Sequence, residues 1–203
     1  MLKVFILDNM KRNLTYMILF LSIVFASGGY DHGSSTGKGK FQIDLTWNPF
    51  NKINYGQSYI VMNYGLTDKM DIHGYLSNHY ENYNTMYLGL FYQFFKSKNI
   101  DLATAFGFRK RMDRKNTQIF APQLLYTLSL TEKMYLGGSF VNVRNNKFNK
   151  DYGTSIDIGL FHRLKFKTKS IEEISIGISA FHPTTWKPKT YFLPTYSVDI
   201  KFN

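Results

Sequence analysis

From residue 41 onward, apolar and polar residues alternate with a period of two along most of the chain. The segment FQIDLTW, residues 41–47, is typical, since its aromatic and aliphatic residues fall on one face and its polar residues on the other. Alternation of this kind predicts a β-strand with one apolar and one polar face. The same pattern predicts ten strands, at residues 41–47, 57–66, 70–79, 85–95, 100–110, 118–130, 134–144, 153–166, 173–182 and 192–202.

The predicted strands are long, and their two faces differ in character. Most span about nine to thirteen residues, compared with about five or six in an ordinary globular strand and about nine to eleven in a membrane-spanning one. One face carries bulky apolar side chains such as Leu88 and Leu90, and the other is small and polar, as at Gly89, Ser139 and Ser175. Because a narrow closed barrel has little room inside, we expect the small face to line the lumen and the bulky face to meet lipid.

The connections between the predicted strands fall into two groups. Counted from the N-terminus, the even-numbered connections are short, with the sequences LTDKM, KSKNI, LTEKM and KTKSIEE. The odd-numbered ones are mostly longer and rich in asparagine, aromatic and basic residues: NPFNKINYG, RMDRKNT, RNNKFNKDYG and HPTTWKPKTYFLP, with NHYENYN as a compact exception. Short turns at one end and longer loops at the other are typical of outer-membrane barrels, whose short turns face the periplasm.

Two of the short connections repeat almost the same sequence. GLTDKMDIHG, residues 65–74, and SLTEKMYLGG, residues 129–138, share Leu-Thr-acid-Lys-Met. The pattern predicts a hairpin closed by three residues in each copy, with Leu66 paired to Met70 and Leu130 paired to Met134. We interpret the repeat as one turn used twice and not as a binding motif, and an internal duplication stays open as an alternative.

The N-terminal part of the chain has the pattern of an export signal. Lys11 and Arg12 precede an apolar stretch over residues 14–26, which ends with small residues at the positions expected before a cleavage site. We therefore expect a signal peptide over residues 1–26, with Met10 as an alternative start. Residues 27–40 are predicted to be a flexible leader, because GSSTGKGK lacks the spacing of a phosphate-binding loop. The barrel is predicted over residues 41–203.

The C-terminal sequence YSVDIKFN, residues 196–203, puts Phe202 next to the last residue. With the export signal and the ten alternating segments, this chain resembles the broad class of bacterial outer-membrane β-barrels, whose last strand typically ends in an aromatic residue that the barrel-insertion machinery reads. Asn203, beyond the aromatic residue, departs from that pattern. The resemblance implies an all-β, single transmembrane antiparallel up-and-down barrel of about ten strands, with eight to twelve as the range. It also implies location in the outer membrane of a Gram-negative bacterium.

Composition and charge limit the kinds of site and the kinds of partner expected for this chain. The chain has no cysteine, which excludes disulfides, thiolate metal sites and thiol nucleophiles. Its formal charge of +11 falls to +9 without residues 1–26. For an exported chain, the expected counter-charges are outer-membrane lipids and lipopolysaccharide, not nucleic acid. The segment RKRMDRK suggests a clamp for lipopolysaccharide phosphates, with a solvated loop tip as the alternative; its cations are Arg109, Lys110, Arg111, Arg114 and Lys115.

One group of residues could carry catalysis. Asp71, His73, Ser77 and His79 fall on the same face of the third predicted strand. A hydrolase acting on lipid A or peptides would use a histidine as the base, Asp71 as its orienting group and Ser77 as the nucleophile. The alternative is an interior hydrogen-bond ladder, which we favour because the usual catalytic motifs are absent. No catalytic residue, cofactor or metal is therefore expected.

Charged residues of both signs are predicted to line the lumen: Asp44, Asp101, Arg109, Arg111, Asp157, Arg163, Asp199 and Lys201. Buried charges must be paired or hydrated, so they either fill the barrel or border a path for solutes. Ten strands lie near the filled end of the range of barrel sizes. The expected function is a narrow pore for passive transport or a structural membrane role. The hydrolase, and a soluble exported barrel that binds an apolar ligand, stay open as alternatives, as does the oligomeric state.

Overall fold

The period-two alternation produces ten antiparallel strands that close into a barrel. The computed structural model describes residues 32–47, 57–79, 84–145, 151–166, 168–183 and 193–203. The strands are β1 Phe41–Trp47, β2 Gln57–Gly65, β3 Met70–His79, β4 Asn84–Lys96, β5 Ile100–Arg111, β6 Thr117–Ser129, β7 Met134–Asn145, β8 Asp151–Lys165, β9 Ile171–Pro183 and β10 Leu193–Phe202. Each pairs with its neighbour in sequence, and β1 pairs with β10. The predicted barrel of about ten strands is confirmed, and every predicted strand end lies within two residues of the observed one.

The bulky apolar face of the barrel points outward. Exposed and buried residues alternate along β4, where Leu88 is 58 % exposed and its neighbour Tyr87 is 5 % exposed. Large apolar residues are exposed on every strand, including Leu45, Ile60, Ile72, Phe108, Leu124, Phe140, Ile158, Ile176 and Val198. A soluble barrel with its apolar face inside would show the opposite pattern. Within the described part of the chain, no helix is long and apolar enough to cross a membrane.

The lumen is less uniform than the sequence predicted. A small and polar lining is found on β9, β10 and β1, whose described inward residues are polar or glycine. We call these three strands the polar side; its buried inward residues are Gln42, Asp44, Thr46, Ser175, Ser179, Thr195, Ser197 and Asp199. On strands β2–β6, however, large side chains also point inward and pack together as a cluster of Tyr59, Val61, Tyr75, Tyr87, Phe91 and Leu125 with two alanines. The expectation of a wholly small and polar lumen is therefore wrong for this part.

Glycines make room for the inward rings. Tyr87 lies against Gly89 and Gly107, and a Cβ atom at either glycine would overlap the tyrosine ring. Phe161 lies in the same way against Gly159 and Gly177. An aromatic side chain can lie flat on the strand backbone only where the neighbouring residue has no side chain. The glycines that predicted a small lining are thus the positions against which large inward rings pack.

All four short connections lie at one end of the barrel, which we call the turn end; the other is the loop end. Each short turn has a hydroxyl that accepts a hydrogen bond from the backbone N–H three residues later. The pairs are Thr67 with Met70 at 2.9 Å, Ser97 with Ile100 at 2.9 Å, Thr131 with Met134 at 3.0 Å and Thr168 with Ile171 at 2.9 Å. The two copies of the repeat therefore form the same kind of turn. In both copies the leucine N–H also donates to the methionine carbonyl, as the predicted pairing requires.

Removing the turn hydroxyls should weaken the barrel measurably. Thr67→Ala combined with Thr131→Ala removes one acceptor from each turn and should lower the free energy of unfolding by about 1 kcal/mol per site. Urea titration of the refolded protein in lipid vesicles would measure the change. Thr67→Ser with Thr131→Ser keeps both acceptors and serves as the control; equal stability of the two double variants would contradict the role of the hydroxyls.

Candidate functional site

The N-terminal segment of residues 32–40 lies in the lumen at the turn end. We call it the plug segment. Thr36 is fully buried, and His32 is buried beside Gln42 of β1, with their side-chain nitrogens 2.9 Å apart. The flexible leader predicted for residues 27–40 includes these residues, and that prediction gives no indication of their contacts. A glycine- and serine-rich stretch has no periodicity that would indicate a partner, and its contacts here are with residues far away in sequence.

Several strands bind the backbone and side chains of the plug segment. The Gly33 N–H donates to Thr127 Oγ1 of β6 at 2.9 Å, and the Thr36 N–H donates to Asp71 Oδ2 of β3 at 2.8 Å. Ser34 Oγ donates to Asp101 Oδ2 of β5 at 2.7 Å. The acceptors of these three bonds lie on different strands, so the bonds hold the plug segment in the mouth of the barrel.

Glycines allow the plug segment to approach the wall closely. A Cβ atom on Gly33 would lie 2.6 Å from the Asp101 carbonyl oxygen and 2.9 Å from that of Leu125. Gly39 has φ +74° and donates its N–H to the Gly65 carbonyl at 2.8 Å. A positive φ of this size is accessible to glycine at little cost and strained for most other residues. Glycine at position 33 therefore permits the close approach to the wall, and glycine at position 39 permits the positive φ.

The predicted lumen charges divide between the middle and the rims of the barrel. Asp44, Asp157, Asp199 and Arg109 are buried, whereas the others are half-buried: Asp101, Arg111, Arg163 and Lys201. Asp44 accepts hydrogen bonds from Gln42 Nε2 at 2.7 Å and from Asn63 Nδ2 at 2.9 Å. Neutral donors of this kind replace part of the hydration that a buried carboxylate loses.

Acidic residues meet across the seam where the barrel closes. Asp44 of β1 and Asp199 of β10 are register partners, so their side chains point into the lumen side by side. Tyr135 Oη donates to Asp199 Oδ2 at 3.5 Å, and Arg163 lies over the Tyr135 ring at 4.2 Å. Arg163 also forms an ion pair with Glu173 at 3.4 Å. Two carboxylates of the polar side thus lie next to each other across the seam, and nearer the turn end Arg163 of the neighbouring β8 pairs with Glu173 of β9.

A cavity of about 60 Å³ lies between the plug segment and the polar side. It has room for a few water molecules, each of which needs roughly 10–15 Å³ measured in this way. Its walls are polar or charged apart from the Tyr135 ring, and they come from His32, Ser34, Ser35, Gln42, Tyr135, Arg163, Glu173, Ser175, Asp199 and Lys201. The cavity therefore offers a hydrated space just inside the plug segment.

Three of the four candidate catalytic residues on β3 have a partner in the wall or the plug segment. Asp71 binds the Thr36 N–H, and His73 Nε2 shares a hydrogen bond of 2.8 Å with Tyr87 Oη. Ser77 Oγ is hydrogen-bonded to Thr85 Oγ1. Four residues of strand separate Ser77 from His73, about 13 Å at the usual rise, so the histidine cannot act as base for this serine. Asp71, His73 and Ser77 are thus each hydrogen-bonded to the wall or to the plug segment.

The fourth candidate catalytic residue, His79, ends β3 at the loop end, where it pairs in register with Gln57. Its side chain lies outside the described residues. Within the described part of the chain, no group of three or more histidine, cysteine, aspartate or glutamate residues could hold a metal ion.

The basic segment lies at the loop end, and its members are not equivalent. Arg109 is buried, donates to Gln118 Oε1 at 3.3 Å and lies 5.9 Å from the centre of the Phe120 ring. Lys110, Arg114 and Lys115 are exposed. Arg111 forms an ion pair with Asp113 at 2.8 Å, and the hydrogen bond from Arg111 lowers the pKa of Asp113 below its usual value. Three cations therefore face outward from this segment.

Comparisons with known proteins find distant structural likeness. No protein-family model matches the chain, and no curated protein sequence matches it significantly. The KdgM porin is similar with a TM-score of 0.48 and 7 % identity, over 81 % of this chain and 98 % of that chain; the KdgM porin in complex with disordered oligogalacturonate has the same values. The N-terminal β-barrel domain of Pseudomonas aeruginosa OprF has a TM-score of 0.34 and 13 % identity, over 82 % of this chain and 99 % of that one.

Proposed function

We propose that this chain is a β-barrel of the outer membrane of a Gram-negative bacterium, with the turn end toward the periplasm. The observation that supports this most directly is the continuous apolar exterior, to which every strand contributes exposed large side chains. Water-exposed surfaces of soluble proteins rarely carry apolar patches above a few hundred Å². A closed barrel also satisfies its backbone hydrogen bonds internally, as a lipid environment requires. Export by the signal peptide over residues 1–26 completes this proposal.

The porin-like function that the lumen supports best is a narrow path along the polar side. Inward side chains on β9, β10 and β1 are small or polar, from Lys201 at the turn end through Asp199 and Ser197 to Thr195. The cavity lies on this path. In the conformation described, the buried side chains and the plug segment close it, so we expect small currents and infrequent openings.

Lipopolysaccharide is the partner we propose for the basic segment at the loop end. Lys110, Arg114 and Lys115 are exposed there, where the proposed orientation puts the outer leaflet. Cations at this level can bind the phosphate groups of lipid A. Arg109, in contrast, stabilises the lumen wall in this proposal, because it is buried against Gln118 and Phe120. We further propose that the last strand is read by the barrel-insertion machinery.

Cell fractionation followed by planar-bilayer recording tests the proposed function. We expect the protein in the detergent-extracted outer membrane, and small channel currents from the refolded protein. Ser197→Leu, on the buried polar side, should abolish those currents, whereas Val198→Leu on the exposed exterior should leave them unchanged. Recovery in the soluble fraction would overturn the location. A folded protein that passes no current at any voltage would overturn passive transport and leave the structural role.

A further inference from the structure

The mouth of the barrel at the turn end has the properties of a binding site. Its wall supplies two carboxylates, Asp71 and Asp101, the amide of Gln93 and the hydroxyl of Thr127, and all four contact the plug segment. All four accept hydrogen bonds from the plug segment, and three of them accept from backbone N–H groups, those of Gly33, Ser35 and Thr36. Backbone groups are common to all peptides, so such a site can recognise an extended peptide through its main chain.

The site also selects small residues. Gly33 approaches the backbone of β5 and β6 so closely that a Cβ atom would collide with two carbonyl oxygens. Ser35 donates its hydroxyl hydrogen to the Asp68 carbonyl at 2.6 Å, and its Oγ lies 2.9 Å from Gln93 Oε1. A larger side chain at position 33 would have to displace strand backbone. The mouth therefore requires glycine at position 33, and it binds serine at position 35 through the hydroxyl group.

We propose that the turn-side mouth is a peptide-binding site for an extended glycine- and serine-rich segment, and that residues 32–40 occupy it in cis as a displaceable plug. The connection to β1 keeps the segment at a high effective concentration near the mouth, which favours occupancy. Displacement exposes Asp71, Asp101, Gln93 and Thr127 to a second peptide. Occupancy of the mouth can be measured by thiol labelling and by peptide binding, without any measurement of conduction.

The first test asks whether the segment can be displaced. The natural chain has no cysteine, so Thr36→Cys introduces a single thiol at a fully buried position. We expect slow maleimide labelling of this thiol in the otherwise unchanged protein. Adding Gly33→Val should accelerate labelling by about tenfold or more, since the segment can no longer seat and the thiol becomes accessible. Thr195→Cys, buried on β10, is the matched control, and its labelling should not respond to Gly33→Val.

The second test asks whether the vacated mouth binds a peptide in trans. A fluorescent peptide with the sequence of residues 32–40, HGSSTGKGK, should bind the Gly33→Val protein saturably and the unsubstituted protein at least about tenfold more weakly, because the site there is filled. The same peptide with valine in place of Gly33 should bind neither protein. Fluorescence anisotropy in detergent would measure all four combinations of peptide and protein.

Two results would overturn the proposal. One is a rate of Thr36→Cys labelling that Gly33→Val does not change; the other is a peptide that binds both proteins equally or binds neither. If Gly33→Val fails to fold, the double variant Asp71→Asn with Asp101→Asn takes its place in the labelling test. The double variant removes the charge from two hydrogen-bond acceptors on the wall. That variant should also accelerate labelling, and an unchanged rate would count against the proposal in the same way.

Discussion

Leu90→Arg is expected to destabilise the barrel in lipid by about 2–4 kcal/mol, the cost of a cation near the middle of a bilayer. Leu90 is 50 % exposed on the exterior of β4, between its register partners Ile72 and Phe106, which are also exposed apolar residues. Urea titration of the protein refolded into lipid vesicles would measure the loss.

Ile100→Arg is the matched control for this prediction. Ile100 is 40 % exposed on the same exterior surface, but it begins β5 at the turn end. There an arginine can reach the headgroups, so its cost should be about 0–1 kcal/mol. If the exterior faced water, both substitutions would be surface changes of no more than about 0.5 kcal/mol. Equal small effects would therefore contradict the membrane location.

Gly107→Ala is expected to destabilise the barrel by about 1–3 kcal/mol through overpacking of the lumen. The added methyl group would overlap the ring of Tyr87. That ring cannot move aside easily, because Tyr87 Oη is hydrogen-bonded to His73 at 2.8 Å and accepts from Gln123 Nε2 at 3.0 Å. It is also stacked on Tyr75, with ring centres 5.1 Å apart.

A double-mutant cycle with Tyr87→Ala separates this clash from a general effect of alanine in a strand. Tyr87→Ala alone should be strongly destabilising, since it removes a buried aromatic side chain. In that background Gly107→Ala should cost little, because the space that the ring occupied is free. Additive effects of the two substitutions would show that the ring and the glycine do not interact.

The number and limits of the strands could be predicted because each strand separates two different environments. Residues such as Leu88 and Leu90 face outward while their neighbours Tyr87 and Gly89 face the lumen, so the alternation is written into each segment. The turn repeat was equally local, since Thr67 and Met70 interact within one hairpin. Patterns of this short range can be recognised in the sequence without knowledge of how the rest of the chain folds.

The packing of the inward aromatic side chains could not be predicted with the same rules. Alternation puts Tyr87 and Phe161 on the inward face, but the space for their rings depends on glycines of the neighbouring strands as well as of their own. Gly107 lies on β5 and Gly177 on β9, and each becomes a neighbour only when the strands pair in register. The candidate site illustrates the same limit, because His73 and Ser77 share a face and have different partners on β4.

The sequence by itself determined the ten-strand barrel, its outward apolar face and the division into short turns and longer connections, because each depends on neighbours within a strand or a hairpin. Only the tertiary structure decided how the lumen is filled and where residues 32–40 lie. The plug segment has no periodicity of its own, and its partners Asp71, Asp101 and Thr127 come from three strands. Closure of the barrel brings those strands together around one mouth. The resulting contacts join residues far apart in the sequence, so no local sequence pattern indicates them.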